Sequence, residues 1–258
     1  MALVLSSGGA RGLAHIGAIE ELERQGYRIS SVAGCSMGSL VGGMFAAGRL
    51  QDFKQWMYDL DRTKMWRLTD LSLSLTHLMK GERVIEAMKD VVPDVDIEDL
   101  DIPYCAVATD WDTGREVVFR SGSLYAAIRA SISMPAVFSP IRREGMILVD
   151  GGVINPLPLD RVERHEGDLL AAVNVSGPDF EGQSQQHINY ITLVDRALSI
   201  AIRQNAALAL QLHQPDILAD IPMTDIDSFD YDKGPQIARV GELAMREALR
   251  TCQRLCSE

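Results

Sequence analysis

Short apolar runs alternate with amphipathic stretches along most of the chain, and that alternation sets the expected elements. Ala2 to Leu5 is an apolar run at the start, followed by a glycine-rich segment. A helix follows, with Leu13, Ile16, Ile19 and Leu22 at three-residue steps, stopping near Gly26. Ile29 to Ala33 is a second strand, and Leu40, Val41, Met44 and Phe45 mark a second helix that ends at Gly48. A βαβα unit of this kind predicts a parallel sheet covered by helices.

The alternation continues downstream. Phe53, Trp56, Met57 and Leu60 predict a helix, and Val84, Ile85 and Met88 another that ends before Pro93. Tyr104 to Thr109 and Glu116 to Phe119 are expected strands joined through Asp112-Thr113-Gly114, with a helix over Leu124 to Ser131. Met146 to Val149 and Leu169 to Val175 are buried strands, with a polar loop from Pro178 to His187. A long helix runs from about Ile191 to Leu212, a last strand covers Ile217 to Ile221, and an acidic loop spans Asp225 to Asp232. A closing helix covers Pro235 to about Leu255. The period of Trp66 to Lys80 is ambiguous: Leu71, Leu73 and Leu75 alternate with Ser72 and Ser74. The fold class is therefore α/β, a mainly parallel central sheet with helices on both faces. No repeat or linker divides the 258 residues, so a single domain over 1–258 is expected.

Composition narrows the function classes. With 47% hydrophobic and 24% charged residues the chain is an ordinary globular protein. A net charge of -11 argues against nucleic acid and opposes long-range attraction to anionic membranes. Neither a transmembrane run nor a signal peptide is visible. Cys35, Cys105, Cys252 and Cys256 have no zinc-like spacing, which predicts a reducing, cytoplasmic setting.

Three segments carry candidate chemistry. Val32 to Leu40 contains Gly34-Cys35-Ser36-Met37-Gly38, an apolar strand ending in Gly-x-Ser-x-Gly before a helix. That context suits a nucleophile elbow, although Ser36 alone would serve as a helix N-cap. Ser7-Gly8-Gly9-Ala10-Arg11-Gly12 follows the first strand, where consecutive N–H groups suit an oxyanion. A dinucleotide fingerprint is disfavoured because Ser7 replaces its first glycine and no acidic residue ends the second strand; a Walker A loop lacks its Lys-Ser/Thr. Asp150-Gly151-Gly152 closes a strand expected to be central, which makes Asp150 the candidate base; a plain tight turn is the alternative. His15, His77, His165, His187 and His213 have no motif around them. The residues favour a Ser-Asp dyad and leave a triad open.

Gly8 to Gly12, Gly34 to Gly38, Ala130-Ser131-Ile132-Ser133-Met134-Pro135 and Asp150 to Gly152 together resemble, in order and spacing, the patatin-like phospholipase family over residues 3 to about 175. The resemblance implies a three-layer patatin-like architecture and a lipid acyl hydrolase. In it Ser36 would be the nucleophile, Asp150 its base, and Gly8, Gly9 and the neighbourhood of Arg11 and Gly12 the oxyanion hole, with Gly34 and Gly38 shaping the elbow. Ser7 stands where the family has a third glycine, which implies altered rigidity of that loop. The resemblance implies that Ser131 to Pro135 pack beside the active site, but a helix terminated by Pro135 suffices to explain them, so no catalytic role is assigned there. Expected partners are a lipid or other ester substrate and transient contact at a membrane surface, without nucleic acid, cofactor or metal. Trp66, Leu68, Leu71, Leu73, Leu75, Leu78 and Met79 suit either a lid or core filling. The competing functions are a Ser-His-Asp esterase drawing on His187 or His213, and a catalytically silent regulatory protein on the same fold.

Overall fold

The computed structural model describes residues 1–60, 81–135, 137–176, 190–221, 226 and 230–255. In chain order its longer elements are β1 (Ala2–Leu5), α1 (Ala14–Arg24), β2 (Ser31–Cys35), α2 (Met37–Ala46), α3 (Leu50–Tyr58), α4 (Glu82–Lys89), β3 (Tyr104–Asp110) and β4 (Arg115–Phe119). They continue with α5 (Leu124–Ser131), β5 (Ile141–Arg143), β6 (Met146–Asp150), β7 (Leu170–Asn174), α6 (Tyr190–Leu212), β8 (Ile217–Asp220) and α7 (Gly234–Leu255). The ambiguous 66–80 stretch and the 178–187 loop lie outside the described residues, as does half of the acidic 225–232 loop.

β3, β2, β1, β7 and β8 are parallel neighbours in that order. Three antiparallel strands complete the sheet: β4 and β6 on β3, and β5 on β6. A strand has only two hydrogen-bonding edges. β2 pairs with Tyr104 to Val107 of β3, β4 with Ala106 to Asp110, and β6 with Ala108 to Asp110. Because β4 overlaps both of the others, β2 and β6 must share the opposite edge, end to end. Cys35 is then level with Val107, and Asp150 with the next residue, Ala108.

This corrects one expectation. β6 is antiparallel and is not a central parallel strand. It starts beyond the C-terminal end of β3 and runs back, so its last residue still arrives at the C-terminal edge of the parallel strands. β5 was not expected. It is three residues long, two of them arginine, and its hairpin turn is Glu144-Gly145 with φ of 53° and 81°. Glutamate lacks the local side-chain bonds that help Asn or Asp adopt that conformation, so the usual turn signature is weak. β2 begins and ends two residues later than its hydropathy suggests, because small Gly34 and Cys35 still pair with Leu5 and Val107.

Alternation in the strands sorts the two faces. Leu3, Leu5, Val32, Ala106 and Val173 belong to the larger core, with side chains of α1, α2, α3, α5 and α7. Ala2, Val4, Ala33, Cys105 and Ala172 belong to a smaller one with Leu157, Leu159, Val162 and Ala206 of α6. Helices thus lie on both faces of a mostly parallel sheet, the expected three layers. On the thicker face α1 and α7 cross in backbone contact. A Cβ on Gly17 would fall 1.8 Å from the Ala238 carbonyl oxygen, and one on Gly241 1.9 Å from that of Ala14.

Candidate active site

Ser36 sits between the end of β2 and the start of α2 with φ 53° and ψ -122°, a conformation that residues with side chains rarely adopt. The turn is tight enough to exclude side chains beside it. A Cβ on Gly34 would lie 2.4 Å from the Gly38 carbonyl oxygen, and one on Gly38 2.3 Å from that of Leu5. Both elbow glycines are therefore required by backbone proximity.

The end-to-end arrangement of β2 and β6 brings Ser36 to Asp150. Ser36 Oγ donates to Asp150 Oδ2 at 2.6 Å, and both residues are buried, Asp150 completely. Asp150 Oδ1 accepts from the Gly152 N–H at 2.7 Å, which caps the short turn Gly151–Val153, and the Cys35 thiol lies 3.9 Å away. Burial pushes the Asp150 carboxyl up to about 6, against hydrogen bonds from Ser36, Gly152 and Cys35 that favour the ionised form. Burial, and then the charge of Asp150, push the Cys35 thiol well above its ordinary range, which keeps it a donor.

The glycine loop meets the same place. Gly12 is packed so that a Cβ would lie 2.3 Å from Met37 Cγ; a Cβ on Gly152 would lie 3.0 Å from Ser7 Oγ. The missing side chain of Gly8 makes room for Val175, 2.4 Å from where a Cβ would be; Gly9 has φ 56°. Arg11 Nε donates to the Gly8 carbonyl at 3.2 Å and braces the loop. Gly9 opens the 3-10 turn Gly9–Leu13, whose leading N–H groups have no partner within the turn. The three segments that carry the candidate chemistry thus converge on the C-terminal edge of the parallel strands.

The histidines stay apart from this cluster. His15 is fully buried and its Nε2 lies 2.9 Å from the Ser6 carbonyl oxygen, supporting the strand end from which the loop departs. Burial pushes its imidazole down to about 4, so it is neutral. His165 is exposed beside Glu163, and His213 is exposed at the end of α6. His77 and His187 lie outside the described residues. Among the described residues, the hydrogen-bond partners of Ser36 and Asp150 include no histidine.

Ser131 and Ser133 contribute what sequence reasoning missed. Ser131 Oγ accepts the Ser36 N–H at 2.9 Å, and the Ser133 carbonyl accepts the Asp150 N–H at 3.0 Å. The buried Arg129 donates to Ser133 Oγ at 2.7 Å, and Thr109 Oγ1 donates to the Asp150 carbonyl at 3.0 Å. Two signals were available: the segment's place among the motifs of the resemblance, and a pair of small hydroxyl residues at the end of a helix, which proline termination already explained.

Among the described residues, no helix is long and apolar enough to cross a membrane. The model of the family described as patatin-like phospholipase matches residues 3–162. An NTE family protein of Mycobacterium bovis is 46% identical over 179 residues, 69% of this chain and 50% of that protein. Patatin-like phospholipase domain-containing protein 6 of Homo sapiens is 33% identical over 186 residues, 69% of this chain and 14% of that one. The chain therefore spans half the length of the mycobacterial relative and a smaller share of the human one. The crystal structure of VipD from Legionella pneumophila shares the fold at TM-score 0.51 and 14% identity, covering 96% of this chain and 66% of that one. The match to the family model over residues 3–162, a range that includes the segments that build this cluster, makes the chain a member of the patatin-like phospholipase family.

Proposed function

We propose that the chain is a serine lipid acyl hydrolase of the phospholipase, lysophospholipase or carboxylesterase type, working through a Ser36-Asp150 dyad and an acyl-enzyme. The observation that carries this reading is the 2.6 Å hydrogen bond from Ser36 Oγ to a fully buried carboxylate. Asp150 Oδ2 takes the hydroxyl proton as Ser36 Oγ attacks the ester carbonyl. N–H groups of the Gly8-Gly9 loop, together with that of Met37 at the start of α2, hold the resulting oxyanion. The tetrahedral intermediate collapses, the alcohol leaves with the proton from Asp150, and the acyl group stays on Ser36. A water molecule gives its proton to Asp150, attacks the acyl carbonyl and releases the fatty acid, after which the proton returns to Ser36.

The family, and the human relative named as a patatin-like phospholipase domain-containing protein, support a lipid ester as the substrate class. Residues beyond the family match supply β7, β8 and α7 to the same sheet and core, which supports one patatin-like domain over 1–258. The direct test is hydrolysis of a soluble short-chain ester, a lysophospholipid and a phospholipid by wild type, Ser36→Ala and Asp150→Asn. Turnover by wild type and a loss of about 10³-fold or more in each variant is expected. Inactivity of wild type toward all three would favour the catalytically silent alternative, and activity abolished by a histidine replacement instead of Asp150→Asn would favour the triad.

A further inference from the structure

We infer that Ser131 is a positioning residue: by accepting the Ser36 N–H, its hydroxyl holds the nucleophile's backbone in the left-handed turn that aims Oγ at Asp150. This inference rests on the acyl-transfer reading above.

The argument begins with the strain in the elbow. Ser36 has a side chain at φ 53°, so its conformation persists only if its surroundings hold it. On the carbonyl side the elbow holds itself: Ser36 O accepts from Ser39 N at 2.9 Å, Leu40 N at 3.1 Å and Ser39 Oγ at 2.7 Å, all within α2. On the amide side the partner comes from a different element. Ser131 is the last residue of α5, is fully buried, and places Oγ 2.9 Å from Ser36 N. Two residues later the Ser133 carbonyl takes the Asp150 N–H, and the Ser133 hydroxyl is fixed between Arg129 Nη1 at 2.7 Å and the Arg129 carbonyl at 2.8 Å. One short stretch at the end of α5 therefore fixes the main chain of nucleophile and base relative to each other. With its N–H engaged by Ser131, Ser36 leaves oxyanion binding to donors elsewhere.

Removing the Ser131 hydroxyl leaves the Ser36 N–H buried without its acceptor, and the elbow relaxes. Ser36 Oγ then drifts from Asp150. The groups that face the Asp150 carboxyl are the Ser36 hydroxyl, the Gly152 N–H and the Cys35 thiol, with Tyr231 close enough to feel its charge. The hydrogen bonds from Ser36, Gly152 and Cys35 all hold the carboxyl down, that of Ser36 the most, so its withdrawal moves the acid limb of the rate profile to higher pH.

The experiment measures kcat, KM and the pH profile on a soluble ester for wild type, Ser131→Ala, Ser131→Cys and Ser131→Thr, with thermal melts to show that each is folded. Ser131→Ala is expected to lower kcat about 10- to 100-fold, with KM within about threefold and the acid limb displaced upward. Ser131→Thr, which keeps the oxygen acceptor, recovers most of kcat. If Ser131→Ala does not fold, Ser131→Cys, similar in volume with a weak sulfur acceptor, is read in its place against the same outcomes. A folded variant lacking the oxygen that keeps kcat within about twofold of an active wild type, with an unmoved acid limb, overturns this inference alone. A folded Ser131→Thr without recovery does the same, whereas no turnover by wild type overturns the acyl-transfer reading and this inference together.

Discussion

A carboxylate of ordinary acidity is a feeble base toward a hydroxyl, and the proposed dyad meets that problem through the position of Asp150. Complete burial destabilises its charge and pushes its carboxyl to about 6, while Ser36 and Gly152 keep the ionised form accessible near neutral pH. In the proposed dyad the ionised form is the base, so kcat/KM should rise with pH through an acid limb near pH 6 and level off above it. A limb near pH 4 would show that the aspartate is not desolvated. The same shift has an opposite sign for stability. Because the folded protein holds this proton more tightly than the unfolded chain, stability falls as pH rises through roughly 4 to 6, by up to about 3 kcal/mol. Asp150→Asn should therefore melt higher than wild type at pH 8, with the gain fading toward pH 4; a variant that melts lower at pH 8 contradicts this. Ser36, Asp150 and the glycines were legible in the sequence because each motif is local and contiguous. Ser131 and His15 were not: what makes them matter is a hydrogen bond to Ser36 N and one to Ser6 O, and pairings across the fold leave little local trace.

Among the elements, α1 and α7 cross so closely that two mid-helix glycines face carbonyl groups of the opposite helix. Helix propensity predicts that replacing either glycine with alanine stabilises the helix by about 1 kcal/mol. The packing predicts the reverse, because a methyl group 1.8–1.9 Å from a backbone oxygen forces the helices apart. Gly241→Ala should destabilise by about 3 kcal/mol or more in a denaturant titration; an unchanged or raised midpoint would contradict the crossing. Most elements were readable from hydrophobic period, since long apolar strands and broad helical faces leave a strong signal. Strand direction in the antiparallel part was not. β6 reads as one more buried run, and only its register with β3 reveals that it returns toward the elbow. The expectation thus put Asp150 at the C-terminal edge of the parallel strands, where it lies, through an incorrect picture of its strand.

At the scale of the molecule, a chain with net charge -11 still gathers arginines where α1 meets α7. Glu21, buried on α1, accepts from Arg24 Nε at 2.7 Å, Gln25 Nε2 at 2.9 Å and Arg246 Nε of α7 at 3.1 Å. Burial pushes its carboxyl up, but the Arg246, Arg24 and Gln25 hydrogen bonds and the Arg246 charge outweigh that and hold it at about 2. A carboxyl held down contributes stability above its unfolded value that is lost as pH falls toward the folded one. Glu21→Gln should accordingly lower the melting temperature at pH 7 by several degrees, the difference shrinking between about pH 4.5 and pH 2. A difference independent of pH would show that packing, not charge, is what Glu21 supplies. This scaffold lies away from the chemistry and holds the helical layer behind the elbow.

The most direct measurement of the central claim is mass spectrometry of the intact protein and its peptides after reaction with a fluorophosphonate at pH 8. The account predicts one adduct per chain, on Ser36, absent in Ser36→Ala and formed at least about 100-fold more slowly in Asp150→Asn. Modification at another residue, or a Ser36 adduct that forms at the wild-type rate without the Asp150 carboxylate, would contradict it.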